Sequence, residues 1–196
     1  MSTGADATTA LLPALIVGAG PAGLASAACL KQRGIEPLVL EAGASLANSW
    51  RHHYDRLRLH TVKQQSHLPG VPFANELARY PTRAEVIAYL EAYAARFAIV
   101  PRTGETVRRV RAADGGFVVE SARGAYRARA VVIASGLNCV PNPERLPGQE
   151  RFRGTLMHSR CPLCSATSSR SSAASDLIIG WREAATQPVN RSPTPT

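Results

Sequence analysis

Lysine is almost missing from this chain. Of 23 basic side chains only Lys31 and Lys63 are lysines, and the rest are arginines scattered along the sequence. Aromatic residues are also sparse, and no segment interleaves them with basic residues. The formal net charge of +9 therefore lacks the aromatic–basic pattern of a nucleic-acid binder, and no nucleic-acid partner is expected. Solvated faces and an arginine-lined entrance for an anionic ligand account for the charge equally well. No basic segment precedes the first apolar stretch, and glycine and proline interrupt it. A signal peptide or membrane span is therefore not the reading. The four cysteines are Cys29, Cys139, Cys161 and Cys164. Without a secretory signal they do not suggest a disulfide framework, so a reducing cytoplasm is the default. The histidines His52, His53, His60 and His67 lack a second ligand pair at metal-binding spacing, and no metal is expected.

What is present is concentrated between Leu11 and Ala42. An apolar run ends in Gly18-Ala19-Gly20-Pro21-Ala22-Gly23, a small-residue segment follows to Gly34, and a second apolar run, Leu38 to Leu40, closes on Glu41. This is the order strand, glycine turn, helix, strand, acid of a dinucleotide-binding βαβ unit. Gly18 permits the tight turn, Gly20 lets backbone approach a pyrophosphate, and Gly23 allows close packing of the helix. Phosphate oxygens would sit on the free N–H groups at the helix start, with Pro21 and Ala22 in its first turn. Glu41 stands where a carboxylate can accept ribose hydroxyls.

The remainder predicts one domain of α/β class with a tail. Residues 1–9 are small and polar and read as a disordered leader. Ala44 to Ser49 reads as a loop, and Trp50 to Thr61 shows no helical period, with Leu57 and Leu59 alternating as in a short strand. Ser66 to Pro81 carries four Pro or Gly residues and predicts an extended loop. Thr82-Arg83-Ala84-Glu85 is a capping box, with Val86, Leu90, Tyr93, Ala94 and Phe97 on one face of a helix to about Ala98. Three short strands, Thr106 to Arg111, Phe117 to Ser121 and Tyr126 to Ala130, form a β-meander, and Ala130 to Ala134 is a further strand ending at Ser135-Gly136. Asn138 to Pro147 is a proline-rich loop. From about Cys161 the chain turns into low-complexity sequence, with one apolar island at Leu177 to Ile179.

Over about Leu15 to Ser159 the chain resembles the N-terminal half of flavin-containing monooxygenases, close in pattern to the bacterial and plant enzymes that include indole-3-pyruvate monooxygenases. GAGPAG with Glu41 resembles their FAD motif. Ser49-Trp50 with Tyr54, Leu57, Leu59, His60 and Lys63 resembles the block after it. Leu68-Pro69 through Tyr80-Pro81-Thr82, with Tyr89, Leu90 and Tyr93, resembles the next segment. Val132 to Gly136 is similar to the family's ATG-type strand end, and Phe152, Gly154, His158 and Ser159 to its identifying sequence. The resemblance implies a Rossmann-like FAD-binding domain of glutathione-reductase type over residues 10–160, with the β-meander. It implies FAD as cofactor, NADPH as reductant in the complete enzymes, and O2 and a small molecule as substrates. The flavin carries the chemistry, so no catalytic side chain is assigned. Carried over position by position, Gly18, Gly20, Pro21, Ala22 and Gly23 would hold the pyrophosphate and Glu41 the adenosine ribose. Trp50 and Arg51 would lie against the cofactor and His60 near the flavin ring. Val107 would touch the adenine side through its backbone, and Gly136 would approach the cofactor closely. Trp50 as a core aromatic, His60 as a surface histidine and Val107 as an ordinary strand residue are the alternatives.

The sequence departs from that pattern after Ser159. No second GxGxxG occurs, and Trp181-Arg182-Glu183 stand where glycines would follow the island at 177–179. The expectation is an incomplete FAD domain followed by a tail at 161–196, from a shifted reading frame or a truncation, with the NADPH domain missing and the chain weak or inactive alone. Cys161-Pro162-Leu163-Cys164 supplies a rival reading, a thioredoxin-reductase-like disulfide oxidoreductase. A non-catalytic FAD-binding remnant is the third.

Overall fold

The computed structural model describes residues 8–136 and 147–154. The leader expected at 1–9 (apart from residues 8 and 9), the loop at 138–146, His158-Ser159, the Cys161/Cys164 pair and the tail lie outside the described residues. Three strands run parallel. β1 (Thr8–Val17) lies between β2 (Pro37–Leu40) and β5 (Ala125–Ile133). Ala14 to Val17 aligns with Pro37 to Leu40 on one edge and with Ala130 to Ile133 on the other. Consecutive residues Leu15 and Ile16 are both fully buried, in separate apolar clusters on opposite faces of the sheet. A parallel strand covered on both faces produces such a continuous apolar run.

β3 (Val107–Ala113) and β4 (Gly116–Ser121) pair antiparallel, and β4 pairs antiparallel with the first part of β5, giving the sheet order β2-β1-β5-β4-β3. The meander is present, but its third strand and the expected strand 130–134 are one element. Tyr126 and Ala128 are buried while Arg127 and Arg129 face out. Nothing between Ala128 and Val131 breaks the strand: β1 pairs with it from Tyr126 to Ile133, and β4 covers its other edge only as far as Ala128.

α1 (Pro21–Lys31) links β1 to β2, and Gly34, at φ +73, ends the turn that follows it. α2 (Asn48–Arg51) and α3 (Lys63–Ser66) are single turns in segments expected to be irregular. Ala47 starts α2 from the left-handed region, a conformation its side chain does not advertise. The strand expected around Leu57 and Leu59 is only an isolated bridge from Arg58 to Thr82. α4 (Arg83–Arg96) buries Val86, Leu90, Tyr93 and Ala94 in the apolar cluster that holds α1 and β2 residues. Burial pushes the Tyr93 phenol up to about 12, and its hydroxyl donates to Pro69 O at 2.9 Å. Tyr89 stacks on Phe73 at 3.9 Å, and its hydroxyl receives the Leu68 N–H and donates to Val71 O. Lys63 Nζ donates to three carbonyls, of Ala74, Asn75 and Leu77. These bonds fix the Pro-rich 68–81 loop, which has no backbone ladder of its own.

The capping box is complete: Glu85 N donates to Thr82 Oγ1, and Thr82 N donates to Glu85 Oε2 at 2.6 Å. The Thr82 N–H holds the Glu85 carboxyl below its ordinary value, helped by the Thr82 hydroxyl and opposed by burial. Thr82→Ala is expected to cost about 1 kcal/mol in urea unfolding at neutral pH. The carboxylate's share is present above about pH 4 and fades as pH falls through the depressed value, so the penalty should shrink in acid.

Candidate cofactor site

The turn between β1 and α1 is built by contacts that only glycine permits at two positions. A Cβ on Gly18, where φ is +106, would overlap the carbonyl oxygen of Ala134, and one on Gly23 would overlap the carbonyl oxygen of Gly18. The first presses the turn against the end of β5, next to Ser135 and Gly136. The second presses the first helical turn onto the glycine turn itself, a tighter contact than the helix–sheet packing the sequence suggests. Gly20 differs. Its φ of −85 suits any residue, and among the described residues none but its own chain neighbours lies within 4 Å of where its Cβ would be. Space is therefore open above Gly20 at the mouth of the turn.

The amides around that space divide into used and unused. Gly18 N donates to Leu40 O, and Leu24 N makes the first helical bond to Gly20 O. The N–H groups of Gly20, Ala22 and Gly23 have no acceptor among the described residues, and Pro21 has no N–H to offer. Three donors at the positive end of a helix, beside open space, suit an anionic oxygen.

Glu41 closes the other side. Its Oε2 accepts from Ala19 N at 2.8 Å and its Oε1 from Gly43 N at 2.8 Å, and the residue is 8% exposed. The carboxylate is thus buttoned between the glycine turn and the chain after β2, leaving further lone pairs on each oxygen. Ala47 N donates to Ala19 O at 3.0 Å, so α2 is tied to the same turn. Ala19, Gly43 and Ala47 are not among the sequence candidates. Gly43, two residues after the acid, carries a signal, because its Cβ would collide with the Asn48 side chain. Ala19 and Ala47 act through their backbone and carry none.

The other candidates separate. Val107 is half-buried at the start of β3, two residues beyond Glu105, whose N–H donates to Glu41 O. Gly136, at φ +80, follows the β5 end that touches Gly18. Trp50 is half-buried on α2, packs against the larger core cluster and meets the His53 ring edge-on at 6.1 Å. No described contact joins the Arg51 side chain to the glycine turn. Its guanidinium pairs with Glu91 on α4 and donates to Leu46 O. His60 is exposed, and no described contact joins it to the turn. Among the described residues no group of three His, Cys, Asp or Glu side chains is placed to hold a metal ion. No helix among them is long and apolar enough to cross a membrane.

Similarity to known proteins follows the same geography. A family profile described as "Pyridine nucleotide-disulphide oxidoreductase" matches residues 15–185. Indole-3-pyruvate monooxygenase YUCCA1 of Oryza sativa subsp. japonica is 46% identical over 150 residues, covering 74% of this chain and 37% of that protein. A flavin monooxygenase from Stenotrophomonas maltophilia superimposes with a TM-score of 0.68 at 32% identity, covering 76% of this chain and 46% of that one. A bacillithiol disulfide reductase from Bacillus cereus superimposes with a TM-score of 0.65 at 29% identity, covering 72% of this chain and 44% of that one. The chain spans about 37% of the length of the rice relative.

Proposed function

Because the chain belongs to the pyridine nucleotide-disulphide oxidoreductase family and is a partial homologue of the indole-3-pyruvate flavin monooxygenases, we propose that it is the FAD-binding portion of an NADPH-linked monooxygenase. The observation that carries this reading is the open space over Gly20, flanked by three unused amides and the Glu41 carboxylate. The residues fit the group. The amides of Gly20, Ala22 and Gly23 would take the pyrophosphate, with Gly18 and Pro21 shaping the turn. Glu41 would take the ribose hydroxyls, and the backbone at Val107 the adenine side. Gly136 would let the cofactor approach the end of β5. Trp50 would lie against the cofactor through α2, while Arg51 serves that wall by clamping α2 to α4. His60 is left as a candidate for the ring end of the site.

Bound FAD would supply the electron transfer and the O2 chemistry, so this portion needs no acid–base residue of its own. Its part is to orient the cofactor and keep water from it. A small-molecule substrate and O2 are the reactants proposed for the whole enzyme. The composition change after Ser159 supports taking residues 10–160 as the FAD-binding unit and 161–196 as a separate tail. Cys29 is a free thiol, which accords with a cytoplasmic setting.

Titration with FAD and with NADPH separately tests the reading. The expected result is weak, saturable quenching of flavin fluorescence and no NADPH binding, because the 196 residues contain one glycine turn of this kind. Absence of any FAD binding overturns the proposal. A stoichiometric flavoprotein that oxidises NADPH would instead overturn the expected weak retention of FAD, for it would require an NADPH site in this chain. The likeness to a disulfide reductase favours a second reading, a redox dithiol at Cys161 and Cys164. DTNB turnover lost in Cys164→Ser would select it over oxygenation.

A further inference from the structure

Between the bridge residue Arg102 and β3 the chain reads Thr103-Gly104-Glu105-Thr106. Glu105 is 4% exposed, although neither of its immediate neighbours, Gly104 and Thr106, is a large apolar residue. Its Oε2 accepts from Ser121 Oγ at 2.6 Å, at the end of β4, and its Oε1 accepts from Tyr126 OH at 2.8 Å, in β5. Arg102 lies over the Tyr126 ring at 5.7 Å. The main chain of the same segment is bonded elsewhere. Glu105 N donates to Glu41 O at 2.8 Å, Gly104 N to Gly43 O at 2.9 Å, and Glu41 N to Arg102 O at 2.9 Å. Thus one residue is bonded by its side chain to the meander and by its backbone to the residue that carries the ribose carboxylate. Burying a carboxylate is costly unless both oxygens are satisfied, and apolar packing would join two strands more cheaply. A doubly bonded carboxylate adds direction, because both hydroxyls fix where it sits.

Building on the cofactor reading above, we propose that Glu105 is a positioning residue for the adenosine half of the site, setting the distance between Glu41 and the backbone of Val107. The effect passes through Glu41. If the 102–105 segment drifts, Glu41 loses the strand-like partner on both sides of its peptide. The carboxylate that Ala19 N and Gly43 N hold then loses its fixed origin. A plain structural staple would instead weaken the whole domain evenly.

The test uses the full chain with Glu105→Ala, Glu105→Gln and the milder Ser121→Ala. Amide hydrogen exchange is read at Ala19 and Gly43, with Leu90 and Tyr93 in α4 as internal references, and FAD and ADP-ribose binding are titrated in parallel. Glu105→Ala is expected to speed exchange at Ala19 and Gly43 by about tenfold or more relative to α4. Both ligands should weaken by a similar factor. Gln should recover most of the loss, since its carbonyl can accept from one hydroxyl and its NH2 can donate to the other oxygen. Ser121→Ala, which removes one donor, should fall between. Unchanged protection at Ala19 and Gly43, equal acceleration in α4, or lost protection with FAD affinity intact each overturns the proposal. If the unsubstituted chain binds neither ligand, the cofactor reading fails and the positioning role with it. Exchange alone would then report a staple.

Discussion

Gly20→Ala is expected to leave the chain folded and to deprive it of FAD, whereas Gly23→Ala is expected to prevent a stable fold. The two glycines lie three residues apart in one motif, but different atoms constrain them. At Gly20 the backbone angles suit alanine, and among the described residues nothing beyond its chain neighbours opposes a Cβ. As the N-cap of α1 the site should lose only a few tenths of a kcal/mol to about 1 kcal/mol. The methyl group would stand in the space offered to the pyrophosphate. Overpacking of about 1–3 kcal/mol corresponds to FAD binding about 5- to 150-fold weaker. At Gly23 the methyl group would meet the Gly18 carbonyl, which is backbone, with the Ile16 side chain close by and the Gly18 N–H bonded to Leu40 O. Neither side can swing away, so the cost should exceed about 3 kcal/mol. Gly18→Ala should resemble Gly23→Ala, since it combines a clash with Ala134 O and a φ of +106. Thermal unfolding by circular dichroism, run beside flavin quenching, separates these outcomes. A Gly20→Ala chain that melts early yet keeps its FAD affinity would make this glycine structural and remove the main support for the cofactor site.

That contrast also marks how far the sequence can be read. The βαβ unit is legible because three signals coincide there: an apolar run buried on both faces, a glycine turn and a terminal acid. The capping box at Thr82 and Glu85 is legible because both of its bonds use side chains within one turn. The continuous β5 is not, because strand endings are inferred from turn residues, and a strand that keeps β1 on one edge while β4 ends on the other shows none. α2 escapes a sequence reading because it starts from a left-handed alanine, a conformation imposed by Ala47 N reaching Ala19 O rather than by local preference. Arg51 illustrates a different gap. Its position in the block after the FAD motif suggests a cofactor contact, but the side chain's partner, Glu91, lies 40 residues on and only folding brings it near. Glu105 is invisible for the same reason. Its partners Ser121 and Tyr126 are hydroxyl residues in separate strands, ordinary in sequence until the meander closes.

Glu41→Gln is expected to cost both stability and cofactor, and the order of the two losses is informative. In the parent each carboxylate oxygen accepts one backbone N–H, from Ala19 and from Gly43. Glutamine has one acceptor oxygen in that place, and its NH2 would face the remaining N–H donor to donor. Leaving one buried donor unpaired costs about 1–3 kcal/mol. Glu41→Ala would leave two unpaired and should cost about twice as much, reduced by water reaching the half-buried Gly43 amide. The ribose hydroxyls need acceptors as well, and glutamine would offer them one neutral oxygen where the carboxylate offers charged lone pairs on two. FAD and ADP-ribose should therefore weaken together by about tenfold or more, the factor that about 1.4 kcal/mol represents. A lowered midpoint in urea with FAD affinity unchanged would assign the carboxylate to the turn alone, and the ribose would then need another acceptor. An unchanged midpoint with lost affinity would mean that the turn holds itself and the acid serves the ligand alone. The geometry predicts that both fall, because the same two oxygens that lock the turn are the ones proposed to take the ribose hydroxyls.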